Sequence, residues 1–239
     1  MLIIAHRGAS GYAPENTMKA FQLAVDMKAD GMELDLHLTK DGEVVICHDD
    51  DVKRTTNGQG LIKELTLEQL RRLDAGAWHS EPYAGETIPT LQEFMAVASG
   101  TNMLINFEIK NLPYYHKGIE EKLIRSVRDH DMLDRVIVSS FDHYALAETA
   151  RLEPSMKLGA LFSTNIIKPW DYVRQLPFAV YSLHPHYSFV DEAYIRQSHA
   201  HGFKVYPYTV NEGEWAAPLA QAGLDGVITD VPDQLKIIL

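Results

Sequence analysis

Apolar and polar positions along this chain alternate between two patterns, one with the period of a β-strand and one with the period of a helix. Short runs rich in β-branched residues recur from one end to the other, and most are followed by a longer helical pattern. The predicted strands are Leu2 to His6, Met32 to Leu38, Val44 to His48, Met103 to Lys110, Arg135 to Ser140, Leu158 to Phe162, Ala179 to His184, Lys204 to Thr209 and Gly226 to Thr229.

The segments between these strands carry the signals of helices. Gly202 and Gly223 each follow a last helical turn, where glycine commonly ends a helix. Regular alternation of strands and helices predicts a parallel sheet with helices packed outside it. The predicted helices include Thr17 to Ala29, Glu120 to His130, Tyr144 to Leu152, Glu192 to His201 and Trp215 to Ala222.

One of the nine runs, Val44 to His48, follows the turn signal Asp41-Gly42 and is predicted to form a hairpin with the strand before it. Eight strand-helix units then remain in 239 residues. A closed (β/α)8 barrel takes about 250 residues, so the sequence predicts an α/β fold of this TIM type. A doubly wound open sheet is the alternative, but no Gly-x-Gly-x-x-Gly dinucleotide signature follows the first strand.

Alternation within two strands supports the barrel. In the second strand Glu33 and Asp35 share a face, and the apolar residues between them share the other. In the strand that starts at Met103, Glu108 and Lys110 share a face in the same way. A parallel strand covered on both sides normally reads as continuously apolar, so these polar faces are expected to converge on a site inside the barrel.

The regular pattern breaks from about residue 48 to residue 90. This stretch contains a glycine-rich turn, a short helical pattern and a loop rich in Trp, Pro and Gly. Capping boxes begin at Thr66 and Thr90. A connection of this length predicts an insertion or lid over the barrel mouth. With no repeat or linker elsewhere, residues 1–239 are predicted to form one catalytic domain.

Composition narrows the class of partner. The formal net charge of −11 argues against nucleic acid or an anionic membrane surface, because both attract basic proteins.

Cys47 is the single cysteine, it lies in an apolar run, and it is expected to be a small buried hydrophobe in a reducing compartment. The apolar start is too short for a signal peptide, and no run is long enough to span a bilayer. We therefore expect a cytoplasmic protein, and homo-oligomer formation stays open.

Three carboxylates are candidates for a metal site. Glu33 and Asp35 are costly on an inner barrel face unless they are paired or metal-bound, and Glu108 adds a third carboxylate. The alternative is a set of structural salt bridges to Arg7 and Lys110. A divalent cation would also help an acidic protein to bind an anionic substrate. Oxygen ligands suit Mg²⁺ or Ca²⁺ better than Zn²⁺.

Two histidines are candidates for acid and base. His6 ends the first strand and His48 ends the predicted hairpin, so both are expected to face one mouth. Asp49 either orients His48 or is a solvated loop carboxylate. The guanidinium of Arg7 offers a planar, permanently charged fork for phosphate oxygens. The pattern indicates acid/base chemistry on a phosphorylated substrate.

The motifs, taken in order along nearly the whole chain, resemble those of glycerophosphodiester phosphodiesterases. The early block is the most specific part of the resemblance. The matching motifs are Ala5-His6-Arg7-Gly8, Ala13-Pro14-Glu15-Asn16-Thr17, Glu33-Leu34-Asp35, Leu38-Thr39-Lys40-Asp41-Gly42, His48-Asp49, Arg54-Thr55-Thr56-Asn57-Gly58, Phe107-Glu108-Ile109-Lys110, Ser139-Ser140-Phe141, Tyr208-Thr209-Val210-Asn211 and Gly226-Val227-Ile228-Thr229-Asp230.

The resemblance implies a (β/α)8 barrel with a small insertion after the second strand. It also implies hydrolysis of a glycerophosphodiester, a small-molecule partner, to sn-glycerol 3-phosphate and an alcohol. The roles it implies are Mg²⁺ or Ca²⁺ binding by Glu33, Asp35 and Glu108, acid/base catalysis by His6 and His48, and phosphate binding by Arg7 and Lys110.

Several points stay open at this level. Either the neighbouring glycerol hydroxyl or water attacks phosphorus, and either histidine is the base. Phe141, Tyr208 and Trp215 are candidates for glycerol contacts, although core packing explains them equally well. A phospholipid-cleaving barrel enzyme is disfavoured by the acidic composition. A non-enzymatic binding protein is disfavoured because every residue of the implied site is present.

Overall fold

The computed structural model describes residues 1–238, which form nine strands and nine α-helices. The strands are β1 Leu2–His6, β2 Gly31–Leu38, β3 Val44–Ile46, β4 Leu104–Ile109, β5 Val136–Ser140, β6 Lys157–Phe162, β7 Ser182–Pro185, β8 Lys204–Val205 and β9 Gly226–Thr229. The helices are α1 Met18–Asp26, α2 Leu67–Leu70, α3 Leu91–Ala98, α4 Ile119–Asp129, α5 His143–Leu152, α6 Pro169–Val173, α7 Glu192–Ala200, α8 Gly213–Gln221 and α9 Pro232–Ile238.

Eight of these strands form a parallel barrel in the order β8-β7-β6-β5-β4-β2-β1-β9. The chain after β8 closes the circle, because the N–H of Ile228 donates to the carbonyl of Pro207 at 3.0 Å. The N–H of Val210 donates in turn to the carbonyl of Ile228 at 2.9 Å. Strand β3 lies outside this circle and pairs antiparallel with β2. The predicted (β/α)8 barrel and the hairpin are thus confirmed.

The main core lies between the sheet and the helices. Phe21 of α1, Phe94 of α3 and Phe107 of β4 are fully buried and meet edge to face, with ring centroids 4.9 and 5.8 Å apart. Burying a side chain of this size contributes about 1.5–3 kcal/mol to stability. Thr17 caps α1, and Thr90 opens α3 with the capping box that the sequence predicts. These contacts fix the strands whose ends carry the site.

Residues 47–90, here called the insert, connect β3 to α3. The insert has a small apolar cluster of its own, which includes Val52, Ile62, Leu70 and Ile88 and extends to Cys47. Burial raises the pKa of the Cys47 thiol to about 12, so this side chain packs as a hydrophobe, as expected. The insert therefore has a packed interior, and its role as a lid stays a prediction.

Three predicted strand boundaries are wrong by two residues or more. Strand β3 ends at Ile46, so His48 lies in the loop beyond it. Strand β8 contains only Lys204 and Val205, although the N–H groups of Tyr206 and Tyr208 still donate to carbonyls of β7, and Pro207 between them has no N–H to donate. Strand β7 begins at Ser182, after an irregular segment, although the pattern predicted a start at Ala179.

Candidate active site

The three predicted metal ligands converge at the carboxyl ends of neighbouring strands. Glu33 and Asp35 lie on β2, and Glu108 lies opposite Asp35 in the parallel register of β4. One carboxylate oxygen from each lies within 4.8 Å of the others. The three residues are 4%, 1% and 8% exposed, so the negative charges are withdrawn from water. This cluster confirms that the polar faces of the two strands meet inside the barrel.

Two cations lie against this triad. Lys110 Nζ is 2.7 Å from Glu108 Oε1 and 3.5 Å from Asp35 Oδ1. Arg7 Nε is 3.5 Å from Asp35 Oδ2, but its Nη1 already donates to Glu15 at 2.7 Å. The structural salt bridges considered above thus exist beside the triad.

The electrostatics of the triad leave room for a further positive charge. Burial and the neighbouring carboxylates raise the pKa of Glu33 well above its ordinary value, and burial raises that of Glu108. Asp35 is the exception, because Lys110 and Arg7 outweigh the effect of burial and lower its pKa. Two cations therefore do not fully compensate three buried carboxylates. An all-oxygen donor set with surplus negative charge fits a hard divalent cation.

The backbone places Arg7 directly after β1. Its N–H donates to the main-chain carbonyl of Glu33 at 2.9 Å. Gly8 follows with φ +79°, and a Cβ at this position would lie 2.6 Å from the carbonyl carbon of Ala20. Only glycine can adopt this left-handed backbone conformation and also pack so closely against the backbone of α1. The sequence His6-Arg7-Gly8 thus turns the chain so that the guanidinium remains beside the triad.

His6 is held by a carboxylate from the other end of the chain. Its Nδ1 is 2.6 Å from Asp230 Oδ1, and its Nε2 is 4.0 Å from Glu33 Oε2. Ser10 and Asn211 also donate to Asp230. Although burial opposes it, the hydrogen bond from His6 lowers the pKa of Asp230 to about 2. An ionised Asp230 fixes the proton on Nδ1 and leaves Nε2 directed at the site.

His48 is oriented in the same way by its neighbour in sequence. Its Nδ1 is 2.6 Å from Asp49 Oδ1, and Arg54 Nε donates to Asp49 Oδ2 at 2.6 Å. Arg54 also donates to Glu15, which in turn holds Arg7. Burial lowers the pKa of His48. Of the two interpretations of Asp49, the structure supports the one in which it orients His48.

A cavity of about 430 Å³ opens between these groups. Its polar side contains both histidines, Arg7, Glu33 and Glu108, and its other side is largely aromatic. Phe141 and Tyr208 lie in the aromatic wall with ring centroids 5.9 Å apart. The complete lining is His6, Arg7, Glu33, His48, Asn106, Glu108, Phe141, Leu161, His186, Tyr187, Tyr208, Thr209 and Ile228.

Trp215 is not among the residues that line this cavity, and its suggested contact with glycerol stays a prediction. It lies on α8 and packs edge to face against Tyr187, with ring centroids 5.5 Å apart. The helical pattern around Trp215 does not reveal which neighbour its face meets. Tyr187, which lies in a short turn after β7, is the member of this pair that lines the cavity.

Several site residues were given no role by sequence reasoning. Asp230, Asn16 and Glu15 are polar residues within the motifs quoted above. Their position in those motifs was the sequence feature that could have identified them as site residues. Asn16 Nδ2 donates to Asp35 at 2.8 Å. Asn106 faces the cavity from β4, and its buried Oδ1 has no hydrogen-bond partner among the described residues. No sequence feature identified His186 as a site residue, because it does not lie at the end of a predicted strand.

Substituting Asp230 by Asn is expected to lower kcat by about 10²-fold, because an amide no longer fixes the tautomer of His6. Steady-state hydrolysis of a phosphodiester substrate measures this effect. Asp225→Asn is the matched control, because Asp225 makes a similar 2.7 Å contact with His199 outside the cavity. An equal loss of kcat in the two variants, at equal folded fractions, would contradict the role given to Asp230.

A parallel barrel with an acidic triad, two cationic side chains and two histidines at its mouth is suited to acid/base chemistry on an anionic substrate. The model of the glycerophosphoryl diester phosphodiesterase family matches residues 6–234. The chain therefore belongs to this family, and it is an enzyme of the phosphodiesterase class.

Individual relatives agree with the family model. A glycerophosphodiester phosphodiesterase of Caldanaerobacter subterraneus is 43% identical, over 98% of this chain and 96% of the relative. A phosphodiesterase of Oleispira antarctica, solved with the product sn-glycerol-3-phosphate, is 36% identical. It superposes with a TM-score of 0.89 over 100% of this chain and 96% of its own. A Thermotoga maritima glycerophosphodiester phosphodiesterase has a TM-score of 0.78 at 29% identity, over 100% and 99% of the two chains.

Among residues 1–238, no helix has the length and apolar character required to cross a bilayer.

Proposed function

We propose that this protein hydrolyses glycerophosphodiesters to sn-glycerol 3-phosphate and a free alcohol, with a divalent cation and two histidines. The observation that carries the proposal is the arrangement of one cavity. Glu33, Glu108, Arg7 and both histidines line it, and Lys110 and Asp35 lie directly behind Glu108, with Lys110 Nζ 2.7 Å from Glu108 Oε1 and 3.5 Å from Asp35 Oδ1. The relative from Oleispira antarctica, solved with sn-glycerol-3-phosphate, supports the identity of the product.

Glu33, Asp35 and Glu108 would hold the cation, for which Mg²⁺ and Ca²⁺ are the candidates. The donor set fits, because it contains only oxygen and its charge is not fully compensated by Lys110 and Arg7. When bound, the cation would polarise a phosphoryl oxygen and offset negative charge that develops at phosphorus.

The two cationic side chains would hold the phosphodiester. Arg7 uses Nη1 to bond Glu15, which orients the guanidinium and leaves other N–H groups for phosphate oxygens. Lys110 Nζ lies between Glu108 and Asp35, and its pKa is raised because their charges outweigh the effect of burial. It therefore remains protonated and supplies a fixed positive charge beside the substrate.

The histidines would move the protons. Asp230 and Asp49 each accept from Nδ1 of their histidine, so Nε2 is the atom that gains or loses a proton in the cavity. One imidazole withdraws a proton from the nucleophile, and the other protonates the oxygen of the leaving alcohol. The nucleophile is either water, which gives sn-glycerol 3-phosphate directly, or the glycerol hydroxyl beside the ester, which has the advantage of proximity and displaces the alcohol to leave a cyclic glycerol phosphate that water then opens. The same residues serve both routes.

The aromatic wall predicts a requirement for glycerol. Phe141 and Tyr208 line the cavity and offer apolar faces to glycerol carbons, whereas we expect the alcohol to extend towards the insert and the later loops, where variation is tolerated. Glycerophosphocholine, glycerophosphoethanolamine and glycerophosphoglycerol are therefore expected to be cleaved with similar kcat/KM. Bis(p-nitrophenyl) phosphate, which lacks glycerol, is expected to have a kcat/KM lower by about 10²-fold or more, despite its better leaving group.

The substrate comparison tests the proposal and includes a control for the wall. Phe141→Ala is expected to reduce kcat/KM for glycerophosphocholine and to leave that for bis(p-nitrophenyl) phosphate nearly unchanged. Equal kcat/KM for the two substrates in the unmodified protein would mean that no glycerol site exists.

A cytoplasmic location also remains a prediction, which rests on the acidic composition and the single buried cysteine.

The partner class that the site supports is a small phosphodiester. Size-exclusion chromatography with light scattering will establish the oligomeric state.

A further inference from the structure

Two buried histidines lie behind the cavity and take no part in the chemistry described above. His37 follows Asp35 on β2, and His116 lies in the loop between β4 and α4. Nδ1 of His37 is 3.0 Å from Nε2 of His116, and the rings meet edge to face. Nε2 of His37 is 3.3 Å from the main-chain carbonyl oxygen of His48. The two rings are only 1% and 5% exposed.

The carbonyl of His48 determines the direction of these hydrogen bonds. A carbonyl oxygen only accepts, so Nε2 of His37 must carry the hydrogen that faces it. Burial favours the neutral imidazole, in which Nδ1 is then an acceptor. Nε2 of His116 must therefore donate to Nδ1 of His37. The order of donation is fixed, from His116 to His37 and from His37 to the main chain at His48.

His116 is itself fixed by its own loop. Its main-chain N–H donates to Asn111 Oδ1 at 2.9 Å, and Asn111 Nδ2 donates to Glu120 on α4 at 3.2 Å. Tyr114 of the same loop lies under Lys63 of the insert, with Nζ 3.5 Å from the ring centroid. The loop after β4 and the insert therefore meet at the histidine pair.

His48 lies at the point where regular structure ends. The last ladder bond of this hairpin runs from the N–H of Cys47 to the carbonyl of Asp35, at 3.0 Å. Beyond it, the chain begins the insert, and the imidazole of His48 must still reach the cavity. A hydrogen bond to the carbonyl of His48 restrains the peptide that directly follows its Cα.

We propose that His37, held by His116, is a positioning residue that fixes the main chain at His48 and thereby aims its imidazole into the cavity. This inference rests on the proton-transfer role proposed for His48. His37 does not line the substrate cavity and takes no part in the proposed proton transfer. Both of its ring nitrogens are hydrogen-bonded behind the site. Its effect passes through the backbone of His48.

Steady-state kinetics on glycerophosphocholine test the positioning role. His37→Leu is expected to lower kcat by about 10- to 100-fold, the cost of a misplaced catalytic group, with KM changed by less than about twofold. His37→Gln restores a donor and an acceptor and is expected to recover most of the lost kcat. The metal concentration that gives half-maximal activity should be unchanged in both variants, because the two ring nitrogens of His37 bond to His116 and to the main chain of His48 and not to a triad carboxylate.

His116 provides a second pair of variants outside the sheet. His116→Leu removes the donor to His37 and is expected to lower kcat by about fivefold. His116→Gln retains an N–H donor and is expected to remain close to the unmodified protein. Because His116 lies in a loop, this pair tests the inference even if a substitution at His37 prevents folding.

A double-mutant cycle separates the inference from the proposed function. In a His48→Ala background, His37→Leu should cause no further loss of single-turnover rate, since its effect passes through His48. If His48→Ala has no effect by itself, the proposed function fails. If His48→Ala reduces turnover but His37→Leu alone does not, or reduces it equally in both backgrounds, the positioning role is wrong.

Discussion

Substitution of either His6 or His48 by Ala is expected to lower kcat for glycerophosphocholine by about 10²–10⁴-fold, the usual cost of losing a general acid or base. Each imidazole is oriented by a carboxylate 2.6 Å from Nδ1 and presents Nε2 to the same cavity. The physical reason is that the cavity contains one further imidazole, His186, and its two carboxylates are assigned to the cation, so neither proton transfer has a group in place to substitute for it. His186, on the far side of the cavity, uses Nδ1 to contact Ser188.

His130→Ala is the matched control for these two variants. His130 lies at the end of α4, where its Nδ1 contacts the carbonyl of Ser126 at 2.8 Å, outside the cavity. It should retain the kcat of the unmodified protein. Near-normal turnover in either His6→Ala or His48→Ala, with a natural substrate, would show that the assigned role is wrong for that residue. Circular dichroism verifies folding in all three variants.

Removal of divalent cations is expected to reduce kcat by at least about 10³-fold, because the charge at phosphorus then lacks its largest stabilising partner. Cation binding should also stabilise the folded protein, by about 2.7 kcal/mol at 100 times the dissociation constant. A thermal shift on addition of Mg²⁺ or Ca²⁺ to chelator-treated protein measures this directly, without any assay of activity.

Glu108→Gln is expected to abolish both the thermal shift and the activity, since it removes one carboxylate from the triad. The control is Glu153→Gln, because Glu153 is also buried but pairs with Arg128 on the outside of the barrel. Its thermal shift on cation addition should equal that of the unmodified protein. Full activity after exhaustive chelation, or an undiminished shift in Glu108→Gln, would contradict the metal site.

The strand patterns were sufficient to predict the barrel and the convergence of the triad. Alternation places Glu33 and Asp35 on one face of β2, and the parallel register then sets Asp35 opposite Glu108. Both facts depend on local periodicity and on the rule that adjacent parallel strands end at one edge. For the same reason, His6 was placed correctly at the end of β1.

The parts that sequence reasoning missed depend on contacts between distant segments. Asp230 meets His6 across 224 positions, and Arg54 meets Glu15 across 39, so no local pattern reveals either pair. The contact of Trp215 with Tyr187 was not predicted, because a helical pattern indicates an apolar face without indicating which neighbour covers it. The end of β3 was placed too late because the apolar run continues to Cys47, whose N–H makes the last ladder bond, and His48 follows it directly in the sequence.

The central claim is that one cavity cleaves the phosphodiester on the alcohol side and requires a cation to do so. It is tested most directly by ³¹P nuclear magnetic resonance of glycerophosphocholine with metal-stripped protein, before and after addition of Mg²⁺ or Ca²⁺. We expect no change without the cation, and conversion of the substrate resonance to that of sn-glycerol 3-phosphate, with release of choline, once the cation is present. Formation of phosphocholine instead, persistence of the substrate with both cations, or equally fast hydrolysis in their absence would contradict the account.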